Sequence, residues 1–383
     1  MPWKEVSIMS AREEFVRLAA QPGANKSELC RRFEISRPTG NKWIERFQMQ
    51  GKAGLAEHSR RPKRTPARTT ADIEGAIVAL RKAHPAWGAR TLMARLQALG
   101  HKDLPAAVST IHAILQRHAL IDPHESDKHK AFKRFEREAP NELWQMDFKG
   151  HVALSAGGRC HPLTVLDDHS RFSVCLKALG NEQSASVQSA LSEAFRCYGL
   201  PLRIITDNGP PWGYTPEHPY TGLGVWLIRL GIGVNHSRPY HPQTLGKDER
   251  FHRTLKAEVL TRTPLRDLTN AQGHFDAWRA VYNLERPHHA LNMKPPITRY
   301  EASPRSFPEQ LPAVEYPEGS IVRRVQDGGK LSYRGRNYRV GQALRGYAVA
   351  LLPDPELDGV IDIYFCHQRV AKINLHDHEL MQV

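Results

Sequence analysis

Three acidic residues, Asp147, Asp207 and Glu249, lie where carboxylates can act together on metal ions. Asp147 ends an apolar and aromatic segment typical of a strand, and Asp207 ends a β-branched run that an Asn-Gly turn follows. A carboxylate at the end of a buried parallel strand opens onto the crevice in which α/β sheets keep their sites. Three such carboxylates can hold two Mg²⁺ or Mn²⁺ ions about 3.5–4 Å apart, an arrangement that serves phosphoryl transfer.

Glu249 belongs to residues 241–256, a loop with proline and glycine that continues as a strongly charged helix. The positive end of the helix dipole favours a carboxylate in the first turn. Arg253 and Lys256 follow on the same helical face, where they are suited to hold an anionic polymer. A solvated, salt-bridged helix face would show the same pattern. Asp248 points roughly 100° away from Glu249, so we do not expect the two to act together.

The segments W-Q-M-D-F, I-T-D-N-G and H-P-Q-T-L-G-K-D-E-R-F-H-R-T-L-K resemble, in this order, the active-site motifs of DDE transposases and retroviral integrases. The third is long and specific, and the likeness is greatest to bacterial insertion-sequence transposases with an integrase-type core. It implies that Asp147, Asp207 and Glu249 form a metal-binding catalytic triad with two Mg²⁺ or Mn²⁺ ions. This chain departs from the family pattern in the longer separation of Asp207 from Glu249, and in Asp248, where an apolar or neutral residue is expected. The DNA contacts expected around the third motif are His241, Gln243, Lys247, Arg253 and Lys256.

The activity that this resemblance implies is that of a DNA transposase. Such an enzyme cleaves the ends of a mobile element by metal-dependent hydrolysis and joins the 3′-hydroxyl to target DNA by direct transesterification. Its partners would be double-stranded DNA, as terminal inverted repeats and as target, and further copies of the chain in a homodimer or higher oligomer on paired ends. Two alternatives remain open: a transposase-derived DNA-binding regulator without strand transfer, and an RNase H-like nuclease that only hydrolyses.

Basic charge is concentrated in the first third of the chain. The 383 residues carry 54 Lys and Arg against 40 Asp and Glu, a formal net charge of +14. Residues 1–140 hold 26 of those basic residues and 15 of the acidic ones. This excess favours nucleic-acid binding there, through phosphate neutralisation and counterion release, over a merely soluble basic surface.

Residues 1–58 have the spacing of a small three-helix domain, with helices predicted at 10–20, 27–33 and 38–49 and with Ser27 as a helix cap. Its core is predicted from the apolar residues that recur at helical spacing: Leu29, Phe33, Ile35, Trp43, Ile44 and Phe47. The pattern resembles a helix-turn-helix whose last helix enters a major groove, and three-helix packing without DNA binding is the alternative. The expected DNA contacts are Arg37, Thr39, Asn41, Lys42 and Arg46.

Two basic segments separate the predicted domains. Residues 59–69 are punctuated by proline and form either an arm that lies in a minor groove or a plain linker. Residues 122–140 are a second basic linker that leads into the next domain. The basic residues expected to contact DNA from the first segment are Arg60, Arg61, Lys63 and Arg64.

Residues 70–121 repeat the helical pattern, with helices predicted at 71–84, 89–99 and 109–118. The segment H-P-A-W-G between the first two helices resembles one that precedes a second helix-turn-helix in related transposases. Two successive DNA-binding units would read a longer site than one.

From residue 141 the pattern changes from helices to strands. Strands near 143–154, 160–167 and 171–178 and a helix at 183–198 precede the Asp207 strand, a strand near 232–237, the Glu249 helix and a helical stretch at 271–300. This order of elements indicates an RNase H-like α/β core over residues 141–302. Asp167 and Asp168 fall in a predicted hairpin turn, where we expect a structural role.

Residues 318–383 alternate short strand-like stretches with turns, which is typical of a small β-barrel. The strands are predicted at 320–325, 330–333, 336–340, 348–352, 360–364 and 369–374. The resemblance implies an SH3-like barrel that binds DNA or another subunit. The expected fold is therefore multidomain, with all-α helix-turn-helix units, a central α/β RNase H-like core and a C-terminal SH3-like β-barrel.

The resemblance implies a protein of the bacterial cytoplasm that associates with the nucleoid, and the composition agrees with a cytosolic protein. No apolar run approaches the ~20 residues that span a bilayer, and no signal-peptide core is present. The five cysteines are scattered without a C-x-x-C pair, so we expect buried thiols and neither disulfides nor a zinc site.

Overall fold

The computed structural model describes residues 8–57, 68–122, 136–213, 220–236, 246–377 and 379–382. The chain divides into two compact units, Met1–Arg68 and Thr69–Val383. Most of the two predicted basic linkers lies outside the described residues. So do six of the predicted DNA contacts: Arg60, Arg61, Lys63, Arg64, His241 and Gln243.

The first unit is a three-helix domain closed by a 3₁₀ turn. Its elements are α1 (Ile8–Ala19), α2 (Lys26–Arg32), α3 (Arg37–Gln50) and the turn at Gly51–Leu55. The three predicted helices are confirmed to within about two residues, the usual scatter of helix ends. The predicted cap was wrong: Asn25, not Ser27, is the N-cap of α2, because its side-chain oxygen accepts from the backbone N–H of Ser27 and Glu28.

The core of this unit centres on Trp43, which is 4% exposed. Phe15, Val16, Cys30 and Leu55 complete the buried cluster. The other five predicted core residues pack against it only partly buried: Leu29, Phe33, Ile35, Ile44 and Phe47. The prediction therefore found the inner face of α3 but missed the contribution of α1 and of the final turn.

The second unit begins with another three-helix bundle, α4 (Ala71–Ala83), α5 (Ala89–Ala98) and α6 (Val108–Arg117). These three predicted helices are confirmed to within a residue or so at each end. Trp87, in the turn before α5, is fully buried together with Ile77, Leu92 and Ile111. The bundle thus has its own apolar core inside the larger unit.

A six-stranded mixed sheet forms the centre of the second unit. Its strands are β1 (Trp144–Phe148), β2 (Val152–Ala153), β3 (Arg159–Asp167), β4 (Ser173–Leu179), β5 (Arg203–Thr206) and β6 (Gly233–His236). Strand β3 pairs antiparallel with β1, β2 and β4, whereas β1, β5 and β6 run parallel to one another. The predicted strands are confirmed, except that the stretch 143–154 is two strands and not one.

Four helices accompany this sheet. They are α7 (Ser184–Tyr198), α8 (Gly222–Arg229), α9 (Gly246–Leu255) and α10 (Leu268–Leu284), and a π-helical turn at Lys256–Leu260 follows α9. Helix α8 was not predicted. The stretch 271–300 is not one helix, because α10 ends at Leu284 and two short 3₁₀ turns follow.

The C-terminal strands form an open sheet and a hairpin. The sheet has the order β13-β12-β11-β10-β7, from β7 (Ile321–Arg324), β10 (Ala348–Pro353), β11 (Val360–Phe365), β12 (Gln368–Asn374) and β13 (Glu379–Gln382). Strands β8 (Lys330–Tyr333) and β9 (Arg336–Arg339) form a separate two-stranded sheet. The described strands do not close into a barrel, so the SH3-like barrel stays a prediction. Strand β13 was not predicted.

Strand β6 is the end strand of the central sheet, and the C-terminal sheet covers it. The side-chain amide of Gln368 donates to the backbone oxygen of Val234 at 2.8 Å and accepts from its N–H at 2.9 Å. These bonds satisfy backbone groups that an end strand would otherwise expose. A single apolar core continues from the central sheet to the C-terminal sheet.

None of the described helices is long and apolar enough to cross a membrane. All five cysteines are free thiols. Cys197 is exposed, however, and Cys366 is only partly buried, so the prediction of buried thiols was wrong for these two.

Candidate active site

Asp147 and Asp207 lie side by side because of the register of two parallel strands. Trp144 pairs with Ile204 and Gln145 with Ile205. The same register, continued by two residues, brings the two aspartates to the same end of β1 and β5. Neighbouring strands lie about 4.8 Å apart, so two carboxylates leave the sheet next to each other.

The surroundings of the Asp147 carboxylate disfavour its ionised form. Its side chain is 27% exposed, and Oδ1 accepts from the backbone N–H of Phe148 at 2.8 Å. Burial, followed by the negative charge of Asp207, raises the pKa of Asp147 to about 6. The N–H of Phe148 and the charge of Lys149 lower this pKa but do not offset burial and Asp207, and two adjacent carboxylates in such surroundings suit a bound cation.

Asp207 is held at the end of β5 by backbone contacts. Its Oδ1 accepts from the N–H of Gly209 at 3.1 Å, and its backbone oxygen accepts from the Thr206 hydroxyl at 3.0 Å. The ring of His236, on the neighbouring strand β6, lies with Nδ1 3.0 Å from the same backbone oxygen. The carboxylate therefore projects from a turn fixed on both sides.

Helix α9 is fastened to β1 through a histidine that the sequence analysis did not single out. His252 Nε2 lies 2.8 Å from the Thr164 hydroxyl, which donates to the backbone oxygen of Asp147 at 2.9 Å. Since the hydroxyl uses its proton on that oxygen, the ring must donate to it, which leaves Nδ1 unprotonated. The signal available in the sequence was the position of His252 three residues after Glu249, on the same side of the helix.

His252 stays neutral beside the aspartates. Burial lowers its pKa to about 3, so its Nδ1, 3.9 Å from the Asp147 carboxylate, does not form an ion pair. The ring positions α9 without cancelling the charge of Asp147. Glu249 lies one turn earlier on the same helix and is exposed.

The structure thus brings together two of the three predicted triad residues. In the described part of the chain, no group of three or more His, Cys, Asp or Glu side chains is arranged to hold a metal ion. The place of Glu249 in the triad stays a prediction. Its support is the anchoring of α9 against Asp147 through His252 and the exposure of its own carboxylate toward solvent.

Asp248 is buried whereas Glu249 is exposed, in keeping with the rotation of roughly 100° between successive residues of α9. It is fully buried, and neither carboxylate oxygen has a hydrogen-bond partner among the described residues. Burial, then the charges of Asp147 and Asp168, raises its pKa well above the ordinary value. A fully buried carboxylate without hydrogen-bond partners disfavours its charged form, so Asp248 is less suited than an exposed carboxylate to bind a metal ion.

Lys247 was predicted to contact DNA, but its ammonium group faces inward. It donates to the carboxylate and to the backbone oxygen of Asp168, and its side chain is 16% exposed. Burial lowers its pKa to about 8. The described position of Lys247 therefore suits the positioning of α9 better than a contact with a phosphate.

Asp167 and Asp168 have the structural role that we expected. Asp168 is fully buried and accepts from the Gln145 side chain at 2.7 Å. Asp167 accepts from the backbone N–H groups of Ser170 and Asn141, both at 2.7 Å. These bonds close the turn between β3 and β4 and fasten it to β1.

The remaining predicted DNA contacts of α9 lie on its exposed side. Arg253 and Lys256 are both exposed, like Glu249. The helix ends at Leu255, and Lys256 opens the π-helical turn. Glu249, Arg253 and Lys256 thus follow one another along the exposed side of α9 and of the turn after it.

The residues of the predicted recognition helix α3 divide between exposed positions and positions with structural contacts. Arg37, Asn41 and Lys42 are exposed. The Thr39 hydroxyl lies 2.9 Å from that of Ser36, the N-cap of α3, and its N–H donates to the same oxygen. The Arg46 guanidinium lies half-buried, 5.2 Å from the centre of the Trp43 ring.

Comparison with protein families identifies the domains. Residues 137–242 and 230–296 match the integrase core domain, and residues 320–380 match the C-terminal domain of the IS481 family of transposases. Residues 11–63 match a helix-turn-helix domain, and residues 39–115 a homeodomain-like domain.

Two relatives come from bacterial insertion elements. A 31.7 kDa protein of insertion element IS407 of Burkholderia multivorans is 30% identical over 225 residues, which cover 54% of this chain and 79% of the relative. The chain belongs to the insertion-sequence transposases of the DDE/integrase superfamily. A 39.2 kDa protein of insertion element IS476 of Xanthomonas euvesicatoria is 26% identical to this transposase over 248 residues, 64% of this chain and 69% of the relative.

Among solved structures, the integrase catalytic core domain of HTLV-2 in complex with magnesium is 20% identical, with a TM-score of 0.34. It matches 43% of this transposase and 99% of the viral domain. A likeness at this level concerns the fold and does not bear on activity.

Proposed function

We propose that this transposase cleaves the ends of its element and joins them to target DNA with Asp147, Asp207 and Glu249 as its catalytic carboxylates. The observation that carries the proposal is the adjacent placement of Asp147 and Asp207 at the ends of parallel strands, with the charge of Asp147 uncompensated. Membership of a family of polynucleotidyl transferases supports the same reaction class.

The carboxylates of Asp147, Asp207 and Glu249 have the chemistry of ligands for divalent metal ions. Carboxylate oxygens are the ligands that Mg²⁺ and Mn²⁺ prefer, and a cation would stabilise the ionised form of Asp147, whose pKa is raised first by burial and then by Asp207. Asp147, Asp207 and Glu249 would hold such ions. When bound, such ions would activate the attacking oxygen and neutralise charge on the phosphate.

The chain itself would orient the reacting groups. His252 and Thr164 hold α9 against β1 and so fix the distance between Glu249 and Asp147. Arg253 and Lys256, exposed on the Glu249 side of α9, would hold DNA phosphates. The family resemblance implies direct attack of water and then of the 3′-hydroxyl, so no serine or tyrosine of the protein has to act as a nucleophile.

The helix-turn-helix units would bind the terminal inverted repeats in the bacterial cytoplasm, at the nucleoid. The exposed residues Arg37, Asn41 and Lys42 of α3 would reach the major groove. The basic segment 59–69 and the loop residues His241 and Gln243 would add backbone contacts. Two ends must be joined, so at least two copies of the chain would assemble on paired ends.

A strand-transfer assay tests this proposal. Purified protein is incubated with labelled DNA from the ends of its own element and a target plasmid, in Mg²⁺ or in EDTA. Joined products in Mg²⁺ that disappear in EDTA would support a transposase. Cleavage without joining would indicate a nuclease, and end binding without either reaction would indicate a DNA-binding regulator; both outcomes would overturn the proposal.

A further inference from the structure

The turn His84–Gly88, with the sequence H-P-A-W-G, fastens α4 to α5. The Trp87 ring is fully buried in the α4–α6 core and stacks on the His84 ring, with centroids 4.0 Å apart and an angle of 13° between the planes. Arg81 of α4 donates to the backbone oxygen of Trp87 at 2.7 Å. The turn is therefore a rigid corner of the second helix-turn-helix.

The turn His84–Gly88 contacts the π-helical turn that follows α9. Burial raises the pKa of Glu258 in that turn. Hydrogen bonds to its carboxylate from the Trp278 side chain and from the backbone N–H of Ala86 lower this pKa. Trp278 Nε1 donates to Glu258 Oε2 at 2.6 Å. Arg262 donates to the backbone oxygen of Ala83 at 3.2 Å. Contacts from the helix run that carries Glu249 thus reach the second helix-turn-helix directly.

A second set of contacts joins α5 to the end of α10. Arg95 forms an ion pair with Glu285, and their side chains are 20% and 44% exposed. The Arg90 guanidinium lies 3.2 Å from His289 Nε2. Val281 of α10 packs against the apolar core of the α4–α6 bundle. Charged, polar and apolar contacts together make this a packed interface between the bundle and the catalytic core.

The interface leaves α6 open. Ser109, His112 and Gln116 are exposed along that helix. In a helix-turn-helix the second helix enters the major groove, and here that helix is α6. The docked surface comes from α5 and the turn before it, so the bundle can rest on the catalytic core and read DNA at the same time.

We propose that this interface, formed by Ala83, Arg95, Glu258, Arg262 and Glu285, is a positioning device for DNA cleavage. It would hold α6 at a fixed place relative to the carboxylate site, so that the base pairs contacted by α6 determine which phosphate is attacked. Arg95, Glu258 and Glu285 are positioning residues and not catalytic ones. The inference rests on the proposed transposase function and adds to it a coupling between end recognition and the site of the reaction.

A charge exchange in the full chain tests the coupling. Arg95→Glu and Glu285→Arg each place like charges at the interface, and the double variant restores opposite charges. Each single variant should bind the element end with nearly unchanged affinity but cleave it about tenfold more slowly, and the double variant should recover most of the rate, as contacting pairs do. Glu315→Arg, an exposed charge reversal between the core and the C-terminal strands, serves as the matched control and should cleave at the wild-type rate.

The position of cleavage is a readout that a purely structural role would not change. The single variants should cut at several phosphates near the end, whereas the wild type and the double variant should cut at one. Wild-type rate and accuracy in Arg95→Glu, faster cleavage, failure of the double variant to recover, or loss of end binding equal to the loss of cleavage would each overturn the proposal.

Hydrogen exchange in the DNA-free chain separates this proposal from the proposed function. Amides of residues 84–88 and of α5 should be protected in the wild type, exchange faster in Arg95→Glu and be protected again in the double variant. Glu258→Ala should have the same effect on residues 84–88. Equal exchange in all variants would overturn the interface even if the protein transposes. Protection without any cleavage of DNA by the wild type would overturn the proposed function instead.

Discussion

Asp147→Asn should stabilise the metal-free protein, although it is expected to abolish catalysis. The folded-state pKa of Asp147 is raised from an ordinary 3.8 to about 6, first by burial and then by Asp207. The folded state therefore holds the proton more tightly than the unfolded state, and ionisation at neutral pH destabilises the fold. A rise of this size corresponds to about 3 kcal/mol.

The pH dependence follows from the sign of that shift. The penalty is absent well below the ordinary pKa of 3.8, grows as the pH rises and is complete above about 6. Asparagine carries no charge and so removes the penalty. The gain from Asp147→Asn should be about 3 kcal/mol at a pH near 7.5 and about 1 kcal/mol near 4.5.

Calorimetry in EDTA measures this gain in the transition of the unit Thr69–Val383. For a unit of this size the expected rise in midpoint is up to about 4 °C at neutral pH, and partial exposure of the side chain makes that an upper bound. Asp103→Asn, in an exposed turn, is the matched control and should leave the midpoint unchanged. An unchanged or lowered midpoint for Asp147→Asn at neutral pH would show that the ionised Asp147 carboxylate does not destabilise the fold. Mg²⁺ should raise the midpoint of the wild type but not of the variant.

Three further predictions follow from the described contacts. Thr164→Val removes the hydroxyl between His252 and β1, and should slow strand transfer while end binding is unchanged. The unfolding free energy should fall by about 1–3 kcal/mol. A wild-type transfer rate would contradict the anchoring role of this hydroxyl. Trp43→Ala should lower the unfolding free energy of the first unit by about 3–5 kcal/mol without moving the thermal transition of the second unit. A shift of both transitions would contradict two independently folding units. Deletion of residues 1–68 should weaken specific binding of the element ends in a mobility-shift assay, and unchanged specificity would contradict recognition by α3.

Much of the fold could be predicted because the pattern along the chain is local. Asp147 and Asp207 each end a run that alternates or is β-branched, so their places at strand ends followed from the sequence. Helix α8 was missed because its sequence, G-L-G-V-W-L-I-R, has two glycines and is apolar on almost all sides. A helix buried all round has no amphipathic period to reveal it.

The part of the site that could not be predicted depends on contacts between distant residues. The link from His252 to Thr164 spans 88 positions, and the pair Arg95–Glu285 spans 190. Lys247 has the residue type and the position of a phosphate contact, and only the buried place of Asp168 shows that its ammonium group faces inward. Asp248 was correctly set apart from Glu249 by helix geometry, but its complete burial could not be known from its neighbours in sequence.

The central claim is that Glu249, and not its neighbour Asp248, completes a metal site with Asp147 and Asp207. Binding of Mn²⁺ to the full chain on its end DNA, followed by electron paramagnetic resonance, tests this most directly. We expect Asp207→Asn and Glu249→Gln each to lose bound Mn²⁺, whereas Asp248→Asn should retain it. Wild-type Mn²⁺ binding by Glu249→Gln, or loss of Mn²⁺ in Asp248→Asn alone, would show that Glu249 does not complete the site.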